Sequence, residues 1–284
     1  MTNTLRLKAI KITRLKGSIM QTIPDMNWEA VTEHIARELR NYIVREAGKS
    51  GGVIGVSGGV DSAVTLLLTV RAIGAQNVHA LILPSKTTPK EDLEDAFSVL
   101  ELARVPKENI EVINIEPILE SFEKNLGDLT KEERGNLAAR VRMCILHQRA
   151  YRKNALVIGT GDKSELLLGY FTKYGDGGVD ILPIGDLYKT QVRKLGVFLG
   201  LPERIAFKPS SPRLWPGQTA EGELGLSYEI ADLILYSIFE MGIAPEKVPE
   251  NLHIEKKYVD RVTELYKRSE HKRNPPKIIR VSRH

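Results

Sequence analysis

The stretch Gly55-Val56-Ser57-Gly58-Gly59-Val60-Asp61-Ser62 lies between two apolar segments of different character. Ahead of it, Val53-Ile54-Gly55-Val56 reads as a short buried strand. Behind it, Ala63-Val64-Thr65-Leu66-Leu67-Leu68-Thr69-Val70 continues as a helix. The glycines let the backbone turn tightly and approach a ligand without Cβ clashes. Amide N–H groups of such a turn and of the helix N-terminus point at one spot, where unpaired donors and the helix dipole favour phosphate. Ser57 and Ser62 add hydroxyl donors. Asp61 would repel a bare phosphate, so its presence argues for a magnesium ion between carboxylate and phosphates.

Two other phosphate loops are excluded. Gly48-Lys49-Ser50 imitates the end of a Walker A loop, but the leading glycine would fall on Ile43, and the triplet precedes the strand. The dinucleotide fingerprint needs a G-x-G-x-x-G spacing that Gly55, Gly58 and Gly59 do not supply. Ser57-Gly58-Gly59-Val60-Asp61-Ser62 does resemble the SGGxDS pyrophosphate loop of the ATP pyrophosphatases, which cut ATP between the α and β phosphates and adenylate an oxygen of their substrate.

Working outward, Val78–Leu83, Asn109–Ile115 and Ala155–Gly159 read as further buried strands, and helical patterning fills 28–47, 90–103, the stretch from Glu116 and 131–151. Strands alternating with helices imply right-handed crossovers and a parallel sheet. The expected fold is therefore α/β, a three-layer open parallel sheet with helices on both faces. The resemblance makes it an adenine-nucleotide alpha-hydrolase-like (Rossmann-like) one. Ligands of such sheets bind beyond the carboxyl ends of the strands. Those ends carry 57–62, 84–88 and Thr160-Gly161-Asp162-Lys163-Ser164-Glu165.

The 284 residues, 42% hydrophobic and 27% charged, suit one large domain. We expect an N-terminal extension, 1–26, open to disorder, then a single domain, 27–284, ending in a basic tail, 267–284. Residues 1–19 read as dispensable, with Met20 a second candidate start. The net charge is +5. Residues 1–20 hold five Lys/Arg and no acid, and 267–284 hold seven against Glu270 alone, so the body, 21–266, is acidic at −6. That distribution argues against a nucleic-acid face on the folded core. No apolar run approaches a membrane span, and no signal sequence opens the chain. A single cysteine, Cys144, cannot form an internal disulfide, which points to a cytoplasmic location. No His/Cys cluster has metal-ligand spacing.

A second constellation narrows the reading. Phe171-Thr172-Lys173-Tyr174-Gly175-Asp176-Gly177-Gly178-Val179-Asp180 sets polar groups among three glycines. Together with the upstream loop it resembles the NAD synthetases, which share a KYGDGG segment. Pro183-Ile184-Gly185-Asp186-Leu187-Tyr188-Lys189-Thr190-Gln191, Lys208-Pro209-Ser210-Ser211 and Ser269-Glu270-His271-Lys272-Arg273 match as well. The likeness covers about residues 27–275. No glutamine amidohydrolase domain is attached, so the single-domain, ammonia-using form is expected.

The resemblance implies a ligase. ATP and Mg²⁺ adenylate the nicotinate carboxylate of deamido-NAD, and ammonia then displaces AMP to give NAD. By the same resemblance Gly55, Val56, Ser57, Gly58, Gly59, Val60, Asp61 and Ser62 hold ATP with Thr160, Lys189 and Ser211. Asp61 and Glu165 ligate the metal. Arg140, Lys173, Asp180, His271 and Lys272 contact deamido-NAD, with Arg142 a rival to Arg140. Asp176, Lys189 and Asp61 are the catalytic candidates, Asp176 for handling ammonia. Family members are homodimers, so a homodimer is expected. The tail segment 268–276 is expected to close over deamido-NAD. The alternatives are another ATP pyrophosphatase, GMP synthetase-like or tRNA-modifying, and a non-catalytic nucleotide sensor.

Overall fold

A computed structural model describes residues 23–215 and 217–281. The expectations for residues 1–19, and most of the expected extension, lie outside the described residues. The centre is a four-stranded, all-parallel sheet built from β1 (Gly51–Gly55), β2 (Val78–Ile82), β3 (Ile110–Val112) and β4 (Ala155–Val157), in the order β3-β2-β1-β4. Val53 of β1 stands opposite both His79 and Val157. The order reverses beside β1, so the carboxyl end of β1 opens into the crevice where such sheets bind ligands.

Alternation along the strands sorts the side chains into two cores. Ile54, Ala80 and Ile82 face α1 (Trp28–Arg40), α2 (Val60–Ile73) and α3 (Lys90–Leu102). Val53, Leu81 and Val157 face α4 (Glu116–Leu126) and α5 (Lys131–Arg152). Asn27 caps α1, its side chain accepting the Ala30 N–H at 3.1 Å, as a short polar side chain does at an N-cap. The expected helix 28–47 ends as a π turn, Asn41–Glu46. α2 buries ten of its fourteen residues and is apolar on nearly every side, as a helix between a sheet and further helices must be.

The second half of the chain is helical: α6 (Lys163–Leu168), α7 (Lys189–Phe198), α8 (Glu203–Ala206), α9 (Ala220–Leu224), α10 (Tyr228–Phe239), α11 (Val248–Leu252), α12 (Lys256–Arg268) and α13 (Glu270–Arg273). α7 joins the first core, whereas α6 and α9 to α12 gather their own, around Leu168, Tyr188, Tyr228, Leu235 and Val262. Two strands are shorter than the sequence suggests. β3 is an edge strand of three residues, although Ile113 and Ile115 still donate to the carbonyls of Ile82 and Pro84 at 2.9 Å. β4 is likewise three residues, although the Ile158 N–H still donates to the Val53 carbonyl of β1 at 2.8 Å; beyond it the Gly159 N–H donates to the Ile181 carbonyl, in a bridge between Ile158 and Ile181.

Gly58 shows how the loop after β1 is fixed. Its φ is +80°, and a Cβ there would lie 2.2 Å from the Asp92 carbonyl oxygen. Gly58→Ala should cost roughly 2–4 kcal/mol of stability. Gly225→Ala, also at positive φ but in open space, should cost only about 1 kcal/mol. Urea midpoints of the two variants decide this, and equal losses would mean that the backbone approach at Gly58 is unimportant.

Candidate active site

The loop is braced from within. Ser62 Oγ donates to the Gly59 carbonyl at 3.1 Å and receives the Ser57 N–H at 3.2 Å. Its hydroxyl is thus part of the scaffold rather than a free donor. α2 starts after Gly59 with no side-chain cap, which leaves first-turn N–H groups for an anion.

Beside the loop stands a buried ion cluster. Lys189, the first residue of α7, has a fully buried side chain. Its Nζ lies 2.7 Å from Asp61, 2.8 Å from Glu165 and 3.0 Å from Asp162, over the Tyr228 ring. Asp162 and Glu165 arrive together because Asp162 caps α6 and Glu165 closes the capping box. Glu165 N–H donates to Asp162 at 2.8 Å and Asp162 N–H to Glu165 at 3.3 Å. One cation faces three carboxylates. Burial pushes Glu165 well above the usual carboxylate range and Asp162 up to about 6, Lys189 opposing both shifts. The carboxylates in turn hold Lys189 far above its ordinary value against its own burial. Asp61 Oδ1 is buried without a hydrogen-bond partner.

A cavity of about 750 Å³ opens over loop and cluster. Thr160, Ser211 and every loop residue but Gly58 line it, as do Asp61 and Glu165. Lys189 does not; it sits behind the two carboxylates. The far wall is the segment 168–176. Asp176 is exposed at the cavity it lines and accepts the Thr172 N–H at 2.8 Å, and desolvation by the surrounding protein raises its carboxyl above the usual range. Arg142 lines the same cavity and donates to the Leu83 carbonyl at 3.0 Å, burial lowering it to about 10. Its rival Arg140 lines a second cavity of about 480 Å³ with Lys173, His271 and Lys272, and the last two reach both cavities. Asp180 lines neither: its carboxylate accepts the Val157 N–H at 2.7 Å.

The C-terminal segment is an ordered turn, α13. Lys272 Nζ donates to the carbonyls of Gly169 and Phe171 at 2.8 and 2.7 Å, Arg273 to those of Leu166, Leu167 and Tyr266. Lys173 Nζ donates to the His271 carbonyl at 2.6 Å. Two of the tail's cations, Lys272 and Arg273, are thus directed at backbone oxygens, and Lys272 holds the segment that carries Asp176.

Sequence reading missed three parts of this site. Asp162 was legible as the first residue of a D-x-x-E capping spacing. Asp92 and Asp95 on α3 bind Lys208 at 2.6 and 2.7 Å, and Asp92 binds Arg213 at 2.9 Å, strapping 208–213 along the cavity. Their only signal was acid spacing on an amphipathic helix. Asp232, on α10 behind the cluster, gave no signal.

Residues 31–276 match the family model described as NAD synthase. The chain is 54% identical to the NH(3)-dependent NAD(+) synthetase of Saccharolobus solfataricus over 254 residues, 89% of this chain and 90% of that one. Among solved structures it is similar to the NMN synthetase of Francisella tularensis, with a TM-score of 0.79 and 34% identity over 90% of this chain and all of that one. It is also similar to the NH3-dependent NAD synthetase of Campylobacter jejuni in complex with the nitrate ion, with a TM-score of 0.76 and 31% identity over the same shares.

Lys189→Met would leave three carboxylates without their cation. At pH 7.5 it should cost roughly 3–5 kcal/mol. The folded variant then binds protons that the unfolded chain, with carboxyls near their ordinary ~4, has released. Its deficit should therefore shrink as pH falls from 7.5 to 5. Urea titrations at the two pH values test this, and an equal deficit at both would sink the assignment.

Proposed function

The chain belongs to the NAD synthase family, and from that premise we propose that it joins ammonia to the nicotinate carboxyl of deamido-NAD, with ATP cleaved to AMP and pyrophosphate. The observation that carries this reading is the convergence of the glycine loop, the Asp61/Glu165 pair and the Asp176 segment on one cavity. A carboxylate is a poor electrophile, so one of its oxygens must first become a good leaving group. That oxygen attacks the α-phosphorus, the bond to pyrophosphate breaks, and an acyl-adenylate results. Ammonia then attacks the carbonyl carbon, loses a proton, and AMP departs.

The residues divide accordingly. N–H groups of 57–62 and of the first turn of α2 receive the phosphates and stabilise the charge that grows on pyrophosphate. Asp61 and Glu165 fit a magnesium ion: both face the cavity, Asp61 has an oxygen without a partner, and the cluster holds more acids than cations. Mg²⁺ typically takes one or two carboxylates plus substrate phosphates, and when bound it offsets phosphate charge. Lys189 keeps the two carboxylates side by side. Asp176, with its raised pKa, is the group to take the proton from ammonium or the attacking nitrogen. Arg140, Lys173 and His271 supply the polar lining for the dinucleotide in the second cavity.

A homodimer is supported by α4. Ile118, Phe122 and Leu126 are exposed at i, i+4, i+8 on one face, and Leu126 also borders the second cavity. A two-fold copy packed there would cover both the apolar face and that cavity. Among the described residues no helix is long and apolar enough to cross a membrane.

Three experiments test the proposal. The purified protein given ATP, Mg²⁺, ammonium and deamido-NAD should form NAD and pyrophosphate in equal amounts; nicotinate mononucleotide as the better substrate would redirect the reading. Asp176→Asn should spare pyrophosphate release relative to amide formation, whereas equal loss of both would move Asp176 to the first step. Leu126→Arg should turn a dimer into a monomer in light scattering, and an unchanged mass would remove α4 from the interface.

A further inference from the structure

Asp232 is fully buried on α10, and it lines neither cavity. One of its carboxylate oxygens accepts the Ser164 hydroxyl at 2.5 Å, and the other accepts the Thr190 backbone N–H at 2.8 Å. Ser164 Oγ in turn accepts the Lys189 backbone N–H at 2.9 Å. Ser164 precedes Glu165 in the first turn of α6, and Lys189 and Thr190 begin α7. A single carboxylate thus ties together the starts of the two helices that carry the site's glutamate and its lysine.

No cation lies within ion-pair distance of Asp232 among the described residues. Burying an acid without one is costly, and an apolar side chain would pack a helix core more cheaply. The donors explain why an acid stands here. Two donors converge on two oxygens, and only a carboxylate offers acceptors to both. An asparagine would turn its NH₂ towards one of them. Facing Ser164, that NH₂ would reverse the bond and leave the serine proton without the acceptor it has in Asp232; facing Thr190, it would oppose a second N–H.

We propose that Asp232 is a positioning residue of this site: through Ser164 and the Thr190 N–H it fixes where Glu165 and Lys189 stand relative to Asp61, without touching substrate. The inference rests on the functional reading above. It predicts that loosening the junction moves the two side chains by a fraction of an ångström and leaves the dinucleotide pocket alone, because Arg140, Lys173 and His271 come from other elements.

The test is Asp232→Asn, which keeps shape and volume. kcat should fall roughly 30- to 100-fold, as small misplacements at a reacting centre do. KM for deamido-NAD should stay within about twofold of the parent. Backbone amide exchange at Lys189 and Thr190 should accelerate about tenfold or more, while exchange in β1 and α2 is unchanged. If the variant does not fold, Ser164→Ala removes the middle hydroxyl and should show the same split at smaller size. An unchanged kcat, a rise in KM alone, or unaltered exchange at Lys189 and Thr190 would overturn the proposal. A parent protein that makes no NAD would overturn the functional reading instead, since the exchange measurement stands without activity.

Discussion

The arrangement depends on one buried ammonium. Lys189 Nζ holds Asp61 from the first turn of α2, which follows β1, and Asp162 and Glu165 from the start of α6, which follows β4, so one ammonium joins the segments beyond two neighbouring strands to the start of α7. Three acids converging without that cation would repel one another, and burial would protonate or expel them. With it, the acids stay close together, the lysine opposing the upward shifts that burial imposes on Glu165 and Asp162. One cation against three carboxylates leaves an excess of acid beside the cavity, so the cluster is poor as a stabilising device.

Much of the architecture was legible because its signals are local. Strand, glycine loop and helix follow one another directly between Gly51 and Ile73, and the apolar periods of β2 and α5 need no partner to be recognised. The edges of elements were less so. Past Val157 the chain also bridges to Ile181, a partner that no pattern in either segment announces. The π turn at Asn41–Glu46 is likewise invisible to a period of 3.6.

The site divides in the same way. Loop residues could be named because their chemistry follows from backbone geometry at one place in the chain. Asp92, Asp95 and Asp232 could not, since each is defined by a donor far off in sequence. Asp61 and Lys189 are 128 positions apart, and Asp95 and Lys208 are 113 apart. Asp180 and Lys272 illustrate the converse. Each is polar and stands in a glycine- or charge-rich stretch, yet each is engaged with backbone groups, Asp180 at Val157 and Lys272 at Gly169 and Phe171.

Those last bonds bear on how the molecule is made. Lys272 and Lys173 join segments about a hundred residues apart, and α13 is the final helix of the described chain. During synthesis the sheet and its flanking helices can form as they leave the ribosome, N-terminal elements first. The wall that carries Asp176 has no such independence. It acquires its support only when α13 has emerged, so a nascent chain is a nucleotide-binding fold well before it is a finished ligase.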